Sequence, residues 1–201
     1  MRISRARLCL GTLAIALIVS AAPSSEDPDW PCQQRLVPKL TPAAYWNGPL
    51  DGQGDWRADP EIAELVRRLA PRRVTAEEGL AAIVAFTNTV SGDRSHRLAS
   101  AFRGLLEETD RERADLIEKL KQIGRRQRAL AELAGRLASE LDAIQPGEAE
   151  AKRIDLQQRY DFTTRNFEEI QRTIRYACET PVALDTRLGA WARALQAASS
   201  R

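Results

Sequence analysis

Apolar residues recur along residues 93–144 in alternating steps of three and four. The positions are Ala99, Phe102, Leu106, Thr109, Arg113, Leu116, Leu120, Ile123, Gln127, Leu130, Ala134, Leu137, Leu141 and Ile144. That alternation is the period of a left-handed coiled coil. The stretch holds no proline, and as one helix it would reach roughly 75–80 Å at about 1.5 Å per residue. It meets the turn signal Gln145-Pro146-Gly147-Glu148. The same beat then resumes through Ala149, Arg153, Leu156, Tyr160, Thr163, Phe167, Ile170, Ile174 and Ala177. Folded back, the two runs set Leu137 opposite Leu156, Leu130 opposite Thr163, Ile123 opposite Ile170 and Leu116 opposite Ala177. The residue numbers of these pairs keep a constant sum, so the two patterns agree in phase. The spacing predicts an antiparallel helical hairpin over residues 93–178.

The two arms are unequal, which leaves residues 93–114 without a hairpin partner. There the apolar face broadens to Leu98, Ala101, Phe102, Leu105 and Leu106. Three shorter helices are expected to pack on it. The first is 60–70, with Asp59 as N-cap, Pro60 at the first position and Ile62, Leu65, Val66 and Leu69 on one face. The second is 76–90, opened by the capping box Thr75-x-x-Glu78. Its Leu80, Ile83, Val84 and Phe86 make it apolar over most of its circumference, which predicts burial. The third is 181–197, with Leu184, Leu188, Trp191 and Leu195 on one face. Toward the hairpin tip, off-seam apolar residues thin out to Leu133, Ile154 and Phe162, as expected for a solvated two-helix rod. The expected fold is all-α: a long antiparallel helical hairpin (coiled coil) projecting from a small helical bundle, within a helical domain of residues 59–201.

Residues 22–58 break every period. Pro23, Pro28, Pro31, Pro38, Pro42 and Pro49, with Gly48, Gly52 and Gly54, leave no room for a long element. Yet the segment carries Trp30, Tyr45, Trp46 and Trp56, whereas disordered tails are poor in aromatics. It reads as an irregular N-terminal strap docked by large side chains, with a short helix expected near Pro42–Trp46 capped by Thr41.

Residues 1–21 read as an export signal. Arg2, Arg5 and Arg7 precede the apolar run Leu8–Val19, and Val19-Ser20-Ala21 supplies small residues for cleavage. The run is short of the roughly 20 residues that a bilayer span needs; an uncleaved anchor is the alternative. No later segment is apolar enough to cross a membrane. Cys32 lacks a lipobox before it, so no lipid anchor is expected. The chain has 30 basic and 28 acidic residues, net +2. Three of the arginines belong to the signal, so the rest is close to neutral, and nucleic acid is not an expected partner. Once the signal is removed, the cysteines left are Cys32 and Cys178, expected to form a disulfide in an oxidising periplasmic or secreted setting. The loop it closes would stabilise the chain by up to about 4–5 kcal/mol through denatured-state entropy.

Candidate chemistry is sparse. His96, the one histidine, has no partner placed by local spacing. Glu107, Glu108, Asp110 and Glu112 lack the Glu-x-x-His pairing of di-iron bundles, so no metal or cofactor is expected. No phosphate loop, Cys-x-x-Cys or nucleophile elbow occurs, which argues against an enzyme. The acid-first pairs Glu107–Arg111, Asp115–Lys119, Glu132–Arg136, Glu148–Lys152, Asp161–Arg165 and Glu168–Arg172 are expected to line solvated helix faces. Arg125, Arg126 and Arg128 form either an anion- or partner-binding patch or part of such a face. The strap aromatics Trp30, Tyr45, Trp46 and Trp56 are candidate binding residues or plugs that hold the strap down. Gln127 and Arg113 interrupt the seam, either to fix register or to mark where the arms splay or another chain packs. The sequence therefore predicts an exported, non-enzymatic interaction protein whose hairpin docks or spaces, working with another envelope protein or by self-association. The alternative is a small-ligand or glycan-binding module built on the strap aromatics.

Overall fold

The computed structural model describes residues 27–50, 54–145 and 150–199. The expected signal segment and the Pro146-Gly147 turn lie outside them. Every regular element among the described residues is helical, which bears out the all-α expectation. Five α-helices follow the strap: α1 Pro60–Leu69, α2 Ala76–Thr89, α3 Arg94–Asp142, α4 Glu150–Ala177 and α5 Glu179–Ser199.

The helix starts follow from their caps. Asp59 accepts from the backbone N–H groups of Glu61 and Ile62. Thr75 and Glu78 close a full capping box, and Asp93 accepts from the His96 N–H to open α3. Each cap satisfies donors that a first turn leaves without partners. The short strap helix is a 3₁₀ turn, Pro42–Ala44, and Thr41 makes no side-chain cap there. A second 3₁₀ turn, Trp56–Ala58, went unanticipated. α5 begins a little earlier than expected, leaving Pro181 inside its first turn. A first-turn N–H has no intrahelical partner to lose, so proline is tolerated there.

The hairpin seam holds. Leu137 and Leu156 are both buried, as are Leu120 and Ile174, and Ile123 packs in one cluster with Ile170. One position slips: Ile117 rather than Leu116 is buried at the base of the seam. A straight α-helix drifts about 20° per heptad from a strict repeat, and the Trp30 indole joins Ile117 in that cluster. α5 continues the return path along the proximal half of α3, as far as Arg94, whose Nε donates to the Ala198 carbonyl at 3.0 Å. The part of α3 without an α4 partner is therefore covered by α5, α1 and the strap.

Two apolar clusters result. The larger gathers α1, α2, proximal α3 and α5 around Phe102 and Trp191, with Leu40, Trp46 and Trp56 from the strap. The smaller surrounds the Cys32–Cys178 disulfide with Trp30, Ile117, Leu120 and Ile174. Contrary to the expected burial, α2 keeps Val84 exposed and Leu80 only half-buried. α2 packs on α5 and α1 from the edge of the bundle, so its outer side faces solvent.

Arg187 supports the bundle in a way its sequence position alone does not declare. Its buried guanidinium donates to the carbonyls of Pro71 and Val74 at 3.0 and 2.9 Å and lies 4.6 Å over the Trp191 ring. It thus takes up carbonyls just past the end of α1 that would otherwise be orphaned. Burial pulls its pKa below the ordinary arginine range, with Glu112 opposing.

Candidate functional site

The strap crosses both clusters, and its aromatics are turned inward. Trp30, Trp46 and Trp56 are 8%, 6% and 6% exposed. Trp46 stacks on Phe102 with ring centroids 5.0 Å apart and 12° between planes. The Trp56 indole N–H donates to Glu107 at 2.8 Å under the Arg57 guanidinium, and that of Trp30 donates to the Gln34 carbonyl at 2.7 Å. Tyr45 is half-buried and its hydroxyl donates to Asp185 on α5. Burial first, and then the Asp185 carboxylate, push the Tyr45 phenol above its ordinary range. All four side chains are engaged with the body of the molecule.

The arginine patch is likewise partly occupied. Arg125 donates to Asp29 at 2.6 Å, and Arg128 bonds both Asp29 and the Pro28 carbonyl. Lys121 pairs with Asp27 at 2.9 Å. These hydrogen bonds hold both strap carboxyls below the usual carboxylate range, from Lys121 first for Asp27 and from Arg125 first for Asp29. Gly124 is what lets the strap come so close, since a Cβ there would run into the Asp29 carbonyl. Arg126 stays exposed beside them. His96 is exposed too. No group of three or more His, Cys, Asp or Glu among the described residues is placed to hold a metal, and no helix there is long and apolar enough to cross a membrane.

Of the expected i,i+4 ion pairs, Glu148–Lys152 includes a residue outside the described ones, and the other five do not close. Glu107 meets Arg57 and Arg103 instead, Glu108 meets Arg57 and Arg111, and Asp155 meets Arg159. Exposed pairs gain about 0–1 kcal/mol at most, too little to hold long side chains in one arrangement against other partners.

Both seam interruptions lie at openings. Gln127 borders a groove of about 750 Å³ beside the disulfide, with Gln34, Gln171 and Arg175 on its walls. Arg113 borders a smaller cavity of about 290 Å³ between strap, α3 and α5.

No known family, curated protein or solved structure compared with the chain matches it. The site must therefore be read from its own geometry. Beyond the strap, α4 packs almost entirely on α3, and its outer side carries Ile154, Phe162 and Tyr176 at 50%, 62% and 72% exposure. At about 100° per residue these three fall within roughly 80° of one another, opposite the Leu156, Thr163 and Ile174 seam. Arg165, Glu169 and Arg172 sit between them, also exposed. Ile154 and Phe162 are visible in the sequence as off-seam apolar residues. Tyr176 shows only when the outer face is followed past the rod to the base.

Proposed function

We propose that this is an exported, non-enzymatic interaction protein whose helical hairpin is a docking arm, working through the outer face of α4. The observation that carries the reading is the placement of Phe162, Ile154 and Tyr176. They stand in solvent opposite the seam, on an arm that packs on little besides its own partner helix. Elsewhere the chain turns its large aromatics inward, so a phenylalanine left in water on a charged rod calls for a covering surface. The flanking arginines suit a contact with an apolar centre and a polar rim. Export is supported by the signal-like first 21 residues and by a disulfide that an oxidising compartment would keep. The glycan-binding alternative rested on the strap tryptophans, whose faces are taken up by Phe102, Arg57 and the disulfide cluster.

The test places a photo-crosslinking residue at position 162 and, separately, at the outward position Arg126, in cells of the native host. A discrete adduct from 162, abolished by Ile154→Glu with Tyr176→Glu while melting is unchanged, is the expected result. The adduct is either with a second protein or with another copy. Equal, diffuse labelling from 162 and 126, with a monomer in sedimentation, would sink the reading.

A further inference from the structure

The cavity of about 290 Å³ at the junction holds a buried guanidinium that its own partners leave incomplete. Arg113 projects into it from α3 at 5% exposure. Its Nη2 donates to the Val37 carbonyl at 3.1 Å, but neither Nε nor Nη1 has a hydrogen-bond partner. The nearest carboxylate, Asp110, stands 3.9 Å from Nη1, beyond hydrogen-bond reach, and already accepts from the Leu40 N–H at 2.9 Å. The carboxylate on the cavity wall, Asp185, already accepts from Tyr45. A buried guanidinium with two idle nitrogens is costly unless an acceptor meets it. Arg187, by contrast, is about equally buried and both its terminal nitrogens are met by carbonyls, with Nε alone left without a partner.

The remaining walls say what kind of acceptor fits. Leu36, Ile117, Pro181 and Val182 form an apolar side, with Gln34 and Arg35 on the polar one, and the space is near the lower end of ligand-binding cavities, which run from about 300 Å³ upward. A neutral acceptor would leave the arginine's charge loosely met. A doubly charged phosphate would bring its second charge close to Asp110 and Asp185. A single carboxylate meets the idle N–H groups through charge-assisted hydrogen bonds, and a short hydrocarbon tail fits the apolar wall.

We propose that the Arg113 cavity is a binding site for a small monocarboxylate with a short apolar tail, its carboxylate accepting from Arg113 and its tail lying against Leu36, Ile117 and Val182. This site is separate from the α4 docking face and does not depend on it. The strap lends Val37 and Tyr45, and α5 lends Asp185 and Val182. The ligand would therefore bridge the segments that close the junction.

The experiment uses the full oxidised chain and hexanoate as probe, read by ligand-observed NMR and by the shift in melting temperature. Hexanol, hexylamine and inorganic phosphate are run beside it. Saturable hexanoate binding is expected, at least about tenfold tighter than hexanol, a gap of roughly 1.4 kcal/mol. Arg113→Met should abolish it. Because that change touches a buried group and can cost folding, Val182→Trp is the second variant. Val182 is 49% exposed at the rim, so a larger side chain there narrows the cavity without disturbing Arg113. It should remove hexanoate binding while leaving the melting temperature of the free protein unchanged. Hexanoate that binds no better than hexanol, or that binds the Val182→Trp variant as it binds the wild type, overturns the proposal. The cavity would then hold water alone.

Discussion

The base and the rod share α3, yet they use their residues in opposite ways. In the base, Phe102, Leu98 and Leu105 of α3 are fully buried, and α5 sets Trp191 beside them with its indole N–H on the Ala76 carbonyl at 3.0 Å. In the rod, Leu137 and Leu156 are buried, while Phe162 and Ile154 remain in solvent. A two-helix rod can bury one stripe per helix and no more, so each apolar residue off that stripe is either a cost or a contact surface. In the base, α1, α5 and the strap close around α3 from several sides. The difference teaches where stability and function can separate: the base has little freedom to change, while the outer rod face has little structural reason to be apolar.

The sharpest way to break that contrast is a matched pair of truncations. Trp191→Ala removes a fully buried ring and its hydrogen bond, and should lower the unfolding free energy by about 3–5 kcal/mol. Phe162→Ala should change it by no more than about 0.5 kcal/mol. Urea midpoints with the slope held in view would measure both. Comparable losses would mean that the outer rod face is structural after all.

Next in size is the Cys32–Cys178 bridge, which ties the strap to the end of α4 with Cα atoms 5.7 Å apart. Replacing both cysteines with alanine should cost about 2–4 kcal/mol. The effect belongs to the base, so helical content should persist at low temperature while Trp30 fluorescence shifts toward that of an exposed indole. If melting stays where it was, the strap is held by its tryptophans and needs no bridge.

One substitution at three glycines sharpens the comparison further. A Cβ at Gly79 would run into the Trp191 indole, and a rigid ring in a closed core cannot step aside. Gly79→Ala should therefore destabilise by about 1–3 kcal/mol. At Gly124 the obstacle is the Asp29 carbonyl, so Gly124→Ala should lift the strap's end off α3 with a smaller loss. Around Gly135, on the rod, nothing lies within 4 Å of the added atom, and Gly135→Ala should stabilise by up to about 1 kcal/mol through helix propensity. Differential melting of the three variants reads out the order; a stabilising Gly79→Ala would refute the packing argument.

The same division explains what could be read from the chain. The seam was legible because a coiled coil is a one-dimensional pattern, and its phase agreed across two runs that had no reason to agree by chance. The caps at Asp59 and Thr75 were legible because they act within three residues. The slip from Leu116 to Ile117 was not, since it depends on Trp30 arriving from a segment without periodicity. Nor were the partners of Arg125 and Arg128, which sit about a hundred residues away at Asp29. The Arg113 and Arg187 environments are non-local in the same sense. Arg187 did leave a trace: it lies on the Leu184, Leu188, Trp191 stripe, where a charged residue is out of place unless buried carbonyls await it. The inward turn of the tryptophans was one of two open readings, because composition marks aromatics without saying which way they face.

The smallest expected effect tests whether the strap's leading end is held by charge alone. Asp27 and Asp29 both have pKa values below that of a free aspartate, through Lys121 for the first and through Arg125 and Arg128 for the second. A carboxyl whose folded pKa is depressed contributes stability above its unfolded value near 3.8, and loses it as the pH falls through the folded value. Acidification below about pH 4 should therefore release this end of the strap from α3. The pairs are exposed, so salt should weaken the same contact at neutral pH. Hydrogen exchange at Trp30 and its neighbours would report the release, with Asp29→Asn as the reference for the freed state. In that variant the acid-induced step should shrink and the salt dependence flatten. A full-sized step in Asp29→Asn would assign the acid response to the Asp27–Lys121 pair instead, and not to Asp59. Burial raises the Asp59 pKa, but Arg97 and the first backbone N–H groups of α1 outweigh it and hold it low. Its protonation would loosen the start of α1 and leave the strap's end in place.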